Sequence, residues 1–505
     1  MRKRRTSPRG SDGAAVVSRV VLGAALIAAA VYGVALLRHD PAPWPDEALF
    51  ANPAVSLLRH GHLGTDVMAG YLPHIAERTY WMPPLYFVVL APWFAVFGVG
   101  LGAMRAFSLV AGAAALVLTW RLARRAGLPE HAANIAVALL AVDGVFLRAA
   151  RVGRMDVLAL ALALAAVERL LAARTGAPRA AFAAGLLAAL ATTTHPLAGA
   201  ALAVVGADLS LRRDVPSLRA AAKGAAAPLG LWGLYIFRDP SSFVAQFGAQ
   251  LARKASRHPW SFASMRSSLT MNLDQYRDAS NPSVVDPHAA AVALWCVGTV
   301  GLVWGALRSP SLRPVLALHA ALGLAVLTSM EMWYPVYVLP TVALGAAALL
   351  ADVTVRGARR TVVAVVVLGV GATFGVRSLT RQQALLERWS ELGTDGDYDA
   401  FCTRVGALIP RGATVFVSVL PDVTLGLLGR DDLRLRTFVP EGLPVAPAAV
   451  RAGLDDATVI VTGPWAPGTV ADVVGPQRGR LLGLVGNSPE GYQARVWAMP
   501  ARGAP

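Results

Sequence analysis

Runs of roughly 18 or more apolar residues recur along the first three quarters of the chain, each long enough to cross a bilayer as a helix. Inside hydrocarbon no water is present to satisfy the backbone, so a helix must bond its own N–H and C=O groups. A chain patterned this way is confined to a bundle of membrane helices. Composition agrees: 55% of the 505 residues are hydrophobic and only 15% charged, against about 25% charged in an ordinary soluble chain.

The first run, Ala14–Leu37, follows the basic sequence MRKRR. It is longer than a signal-peptide core and no A-x-A site ends it, so it reads as a retained span. The net charge of +16 does not point to nucleic acid. Most Lys and Arg stand in short loops between apolar runs, where they set topology. With MRKRR inside, the pattern predicts about eleven transmembrane helices. They lie near 14–37, 106–122, 132–147, 157–171, 180–193, 197–211, 221–237, 289–307, 314–330, 335–352 and 361–376.

This threading divides the chain into a cytoplasmic N-terminus (1–13), a membrane domain (14–376) and an extracytoplasmic tail (377–505). Two long outer loops, Arg38–Arg105 and Arg238–Pro287, interrupt the spans. In the tail, TVFVSVL, ATVIVTG and LLGLVG read as short buried strands and YDAFCTRVGALI has helical spacing, which predicts a small α/β domain. Within the first loop, Leu49, Phe50, Pro53, Ala54, Leu57 and Leu58 share one helical face, as in a helix lying along the interface. Pro83–Gly98 is too short and proline-interrupted to span. If it crossed, the basic RLARR loop would fall outside, so an interfacial or re-entrant segment is expected.

Ionisable side chains at the membrane boundary are functional candidates. Asp46 and Glu47 stand side by side where the first span ends; a plain helix cap is the simpler role for Asp46. Asp156 marks the next outer turn, again with a cap as the simpler role. It follows Arg148, Arg151 and Arg154, three arginines on the face that should be poor in them. Guanidinium groups match phosphate oxygens with paired hydrogen bonds. The second outer loop adds Arg253, Lys254 and Arg257, for which a solvated basic surface is the simpler reading. His195 and Tyr337 lie where spans meet the same face. Cys296 and Cys402 have neither metal-ligand spacing nor an obvious disulfide partner, and no metal site is predicted. A phosphate-loop sequence, an H-E-x-x-H pair and a nucleophile elbow are all missing from the sequence. A carboxylate pair, phosphate-matching cations and adjoining lipid suit acid–base chemistry on a substrate tethered to a lipid phosphate.

Several segments, in order, resemble the GT-C membrane glycosyltransferases, in particular the bacterial protein-mannosyltransferase and aminoarabinose-transferase-like branch. WPDEALFANPAVSLLRHG is similar to the family's first-loop acidic motif. WMPPLYFVVLAPWFAVFG with MRAFSLVAG is similar to its Pro-Pro-Leu, Phe-Gly and Arg-x-x-Ser signature. RVGRMDVLALAL resembles the second acidic motif and WYPVYVLPTVAL the late Tyr-x-x-Pro segment. The resemblance implies Asp46 as catalytic carboxylate with Glu47 beside it, Asp156 as second acidic residue and Tyr337 facing the donor headgroup. Two departures stand out: Met82 and His195 occupy positions where relatives often carry lysine. Either the outer arginines take over the donor phosphate or the donor differs.

The resulting expectation is an inverting glycosyltransferase. It would move a sugar from a polyprenyl-phosphate donor to a hydroxyl of a lipid, polysaccharide or protein at the outer face of the cytoplasmic membrane, with no cofactor required, although an acidic site of this kind could recruit a divalent metal. A polyprenyl-linked glycan flippase or a noncatalytic envelope-assembly subunit are the alternatives. The flippase should carry charges within its spans, and Asp143 is the one good mid-span example.

Overall fold

The computed structural model describes residues 11–174, 176–257, 260–277, 287–329, 331–353, 358–437, 447–463, 479–486 and 491–500. Helices form at every predicted run. The first is α1 (Ser11–Ala35), followed in the first loop by α2 (Pro45–His60) and α3 (Leu85–Phe97). Next come α4 (Leu101–Arg125), α5 (Glu130–Ala141), α6 (Gly144–Arg151), α7 (Asp156–Ala173), α8 (Pro178–Thr194), α9 (Gly199–Leu211) and α10 (Val215–Ile236). The second loop carries α11 (Pro240–Arg257) and α12 (Phe262–Asp274); α13 (His288–Arg308), α14 (Arg313–Leu327), α15 (Leu339–Val353) and α16 (Ala358–Leu392) complete the bundle. Among the described residues, five helices are individually long and apolar enough to cross a membrane, and the bent pair α5–α6 makes a sixth. The chain is a multi-pass membrane protein.

Helix α7 runs through the middle of the bundle, with Val157, Leu160, Leu164, Val167 and Leu170 wholly buried. By contrast α1 exposes Val17, Val20, Ile27 and Val34, and α16 exposes Val362 and Val365, apolar surface of the kind that lipid covers. Helices α13 and α15 meet through glycines, which let backbones approach closely. A Cβ on Gly345 would stand 1.8 Å from the Gly298 carbonyl oxygen, and one on Gly301 would stand 2.2 Å from that of Gly345. Gly345→Ala must therefore force the two helices apart. We expect a loss of about 1–3 kcal/mol, the usual cost of overpacking, read as a lower melting temperature in detergent.

Two predicted spans differ from what forms. The third, 132–147, is broken: α5 and α6 meet at 64°, because the Asp143 carboxylate accepts from Val145 N (2.8 Å) and Phe146 N (3.0 Å) and starts a new helix. The last, 361–376, continues to Leu392, since the helical pattern of RSLTRQQALLERWSEL outlasts its hydropathy. The tail domain thus begins beyond 377. Helix α3, at 13 residues with Pro92 inside it, is about 20 Å long; α9 is equally short and reaches 16 residues only with the 3-10 turn Pro196–Ala198 before it, so length alone does not separate the two.

After α17 (Tyr398–Ala407) comes a five-stranded sheet of β1 (Thr414–Ser418), β2 (Arg434–Thr437), β3 (Val459–Thr462), β4 (Arg480–Val485) and β5 (Ala494–Ala498), with α18 (Thr424–Leu427) and α19 (Pro447–Asp455) between strands. The order is β2-β1-β3-β5-β4, parallel from β2 to β3 and antiparallel beyond. Strand alternation gives the sheet two faces. Phe416 and Ile460 pack with Leu454 of α19. Val415, Val417, Val459 and Val461 share one apolar cluster with Phe401 of α17 and with Ala48, Phe50 and Val55 of α2. The predicted lipid-facing side of α2 is therefore covered largely by protein, with Leu58 still exposed. Further ties are Asp422 N to Pro43 O (3.0 Å), Tyr71 Oη to Thr437 O (3.2 Å) and Arg38 to Asp399 (2.8 Å).

Candidate active site

Four chain turns and one helix bring predicted residues to one end of the bundle: the start of α2, the α6–α7 turn, the α8–α9 turn, the turn EMWYP before α15, and α11 with Arg253 and Lys254. Helix α2 opens at Trp44-Pro45, proline suiting a first helical position whose N–H has no partner anyway. This fixes Asp46 and Glu47 in the first turn, where carboxylates also favour the helix dipole. Gly61, at φ 72°, ends the helix in a left-handed cap and returns its N–H to Leu57 O. Neither Asp46 nor Asp156 caps a helix through its side chain.

Asp46 and Glu47 have opposite surroundings. The Glu47 carboxylate is 1% exposed and takes a two-pronged ion pair from Arg105, Nε at 2.8 Å and Nη2 at 2.7 Å. It also accepts from Gly153 N at 2.8 Å and from Trp44 N at 3.3 Å. Arg105 in turn donates to the Leu37 and Pro41 carbonyls. Every oxygen of Glu47 is committed to joining α2, α4 and the α6–α7 turn. The Asp46 side chain remains 34% exposed and pairs with Arg154. Its surroundings raise the Asp46 pKa, desolvation outweighing the attraction of Arg154, so the carboxylate is more basic than usual.

Arg154 is the central cation. It pairs with Asp46, donates from Nε to Asp156 Oδ2 at 2.9 Å, and lies over the Phe50 ring at 4.9 Å and the Trp333 ring at 5.5 Å. Asp156, 2% exposed, also accepts from the Tyr337 hydroxyl at 3.3 Å and stands 3.9 Å from His195 Nε2. Burial pushes the His195 pKa down to about 3. The ring is therefore neutral, and it accepts from Leu197 N at Nδ1 (3.2 Å), leaving Nε2 to carry the hydrogen. Nε2 lies 3.3 Å from the Tyr334 hydroxyl, whose oxygen also receives Lys254 Nζ at 2.7 Å. Burial pushes the Lys254 pKa down to about 8.

The three consecutive arginines separate. Arg154 holds the acids. Arg148 is half-buried over the Trp333 ring at 5.0 Å, the ring that Arg154 also approaches. Arg151 is turned away, wholly buried and bound to Asp40 (2.6 Å) and Gln382 (3.0 Å). Burial and those partners give Arg151 a bracing position in place of the predicted phosphate contact. Arg253 joins Glu331 at 3.0 Å. The Arg257 side chain and His258 lie outside the described residues. Met82 is buried in the apolar cluster around α2 and offers no cation there.

Sequence reasoning gave no role to Arg105, Glu331, Trp333 or Tyr334. Arg105 stands in the quoted MRAFS and the others in EMWYP; a charge beside an aromatic pair at the end of a span was the available signal.

Residues 82–213, from just before α3 to just past α9, match the model of a family described as dolichyl-phosphate-mannose-protein mannosyltransferase. The whole backbone resembles ArnT from Cupriavidus metallidurans, solved bound to undecaprenyl phosphate. The TM-score is 0.61 at 16% identity, over 96% of this chain and 98% of that one. It also resembles the Archaeoglobus fulgidus oligosaccharyltransferase, in a complex with zinc and sulfate, at TM-score 0.54 and 14% identity over 94% and 72% of the two chains. The apo form of the latter gives TM-score 0.50 at 12% identity over 97% and 75%. No curated protein matches the chain.

Proposed function

We propose that this chain, which has the GT-C fold of the protein-mannosyltransferase and aminoarabinose-transferase-like membrane proteins, is a glycosyltransferase that takes its sugar from a polyprenyl-phosphate carrier. The observation that carries the reading is the pairing of two acids through one arginine: Asp46, partly exposed and raised in pKa, against Asp156, buried and fully engaged. One is reachable as a base; the other holds the geometry. The site face lies on the outer side of the cytoplasmic membrane in this proposal, following the basic N-terminus and short loops.

In the reaction, Asp46 takes the proton of an acceptor hydroxyl as its oxygen bonds to the anomeric carbon. The bond from that carbon to the phosphate oxygen breaks on the opposite side, and its electron pair leaves with the polyprenyl phosphate. Arg148 and Lys254 stabilise the charge gathering on the leaving group. Arg154 holds Asp46 and Asp156 in register, and Glu47 with Arg105 braces the helix that carries the base. A single displacement inverts the sugar carbon and uses no cofactor. The acceptor is a hydroxyl of a lipid, polysaccharide or protein. A flippase role loses its motivating residue, because both oxygens of Asp143 are occupied, one by the cap and one by the Tyr276 hydroxyl at 2.9 Å.

Purified protein given a radiolabelled polyprenyl-phosphate sugar and envelope acceptors should release free polyprenyl phosphate and label the acceptor. Nuclear magnetic resonance of the product should show the opposite anomer; retention would rule out the single displacement. The Lys254 ammonium is charged below about pH 8 and neutral above it. We therefore expect kcat/KM to fall as pH rises through that range, and Lys254→Arg, charged throughout, to hold its value to higher pH. Identical profiles for the two proteins would remove Lys254 from donor binding.

A further inference from the structure

A second convergence of charge lies at the other end of the bundle, unused by sugar transfer. Helices α7, α9 and α14 each have one end at the site, by Asp156, His195 and Glu331 respectively. A rise of 1.5 Å per residue carries the far end of α7 about 27 Å away. There Arg174 just after α7, Arg212 just after α9 and Arg313 at the start of α14 line a cavity of about 750 Å³ with Asp208.

Its construction combines arginines from three helices with an exposed apolar wall. Arg174 is fixed, with Nη2 2.5 Å from Asp208 Oδ1 and Nη1 donating to Pro310 O at 2.7 Å, while its buried Nε, like Asp208 Oδ2, has no hydrogen-bond partner among the described residues. Arg212 reaches Asp208 at 3.5 Å and Asp214, outside the cavity lining, at 3.9 Å. Arg313 is exposed and makes a 3.4 Å contact with Ala306 O. Three guanidinium groups thus face one lining carboxylate. The wall is apolar: Ala203, Ala207 and Leu211, spaced by four along α9, are all exposed, Leu211 at 84%. Arginines that merely mark topology snorkel separately into water. These three, from three helices, share one cavity.

We propose that this cavity binds the phosphate headgroup of an anionic phospholipid from the leaflet opposite the active site, with an acyl chain along Ala203, Ala207 and Leu211. Guanidinium groups supply paired donors to phosphate oxygens, and basic pockets between membrane helices suit such headgroups. A bound lipid would tie together the far ends of three helices whose near ends carry the site.

The test uses the full chain in detergent, titrated with phosphatidylglycerol or phosphatidylcholine of the same acyl chains and read by native mass spectrometry and thermal melting. Wild type should prefer phosphatidylglycerol, and the double variant Arg212→Gln, Arg313→Gln should weaken that binding on the order of twentyfold while melting like wild type without lipid. Should the double variant fold poorly, Arg313→Gln alone reads the same loss in part. Equal binding of the two lipids, an unchanged preference in the variants, or equal stabilisation by inorganic phosphate alone would overturn the proposal. The readout is binding, so it stands or falls apart from sugar transfer.

Discussion

Asp46→Asn should lower sugar transfer by at least about two orders of magnitude, the usual contribution of a positioned general base, with the protein still folded and still binding polyprenyl phosphate. The amide keeps the size and position of the side chain but cannot take the acceptor proton. Arg154 remains anchored to Asp156 by the 2.9 Å bond, so the rest of the site has no reason to move. The measurement is the initial rate of label transfer from a polyprenyl-phosphate sugar, set beside carrier binding by the same protein. Transfer at the wild-type rate would end the proposal that Asp46 is the base. Loss of binding and transfer together would mean that Asp46 shapes the donor site instead.

Arg105→Leu should do a different kind of damage. Glu47 and Arg105 are 1% and 0% exposed, so removing the cation leaves a buried carboxylate without its partner. Breaking such a pair costs about 3–5 kcal/mol. We expect most of the protein to be lost from the membrane fraction and a sharply lower melting temperature. The double variant Glu47→Leu, Arg105→Leu should be more stable than the sum of the single losses, because neither charge is then stranded. Folded Glu47→Gln should keep transfer within about tenfold of wild type, much less than the loss expected for a missing base. If it is instead fully folded and inactive, Glu47 belongs to the chemistry and not to the frame.

How much of this was legible depended on whether the signal was local. Bilayer-length apolar runs announce themselves, and so do the ends that carry Asp46, Asp156 and His195. The break at Asp143 was hidden because the run on both sides reads as one span; only the two amide bonds to its carboxylate reveal a cap. Strand β2 (RLRT) and strand β5 (ARVWA) escaped notice because each is short and carries arginine; β2 buries only Leu435 and Thr437. The arginines are the clearest case. Arg148, Arg151 and Arg154 are equally spaced and chemically alike, yet one stands over Trp333, one braces Asp40 and one joins the two acids. Spacing could bring them to the same turn. Packing alone decided which of them met the acids.

The sheet and α2 share one apolar cluster, and that sets a limit on recombination. A hybrid made by joining another protein's terminal module after Leu392 would present foreign side chains to Phe50 and Val55, and the helix bearing Asp46 would lose its backing. Donor and recipient would have to exchange the first loop as well. The module at the end of the chain and the motif near its beginning are, for inheritance, a single piece.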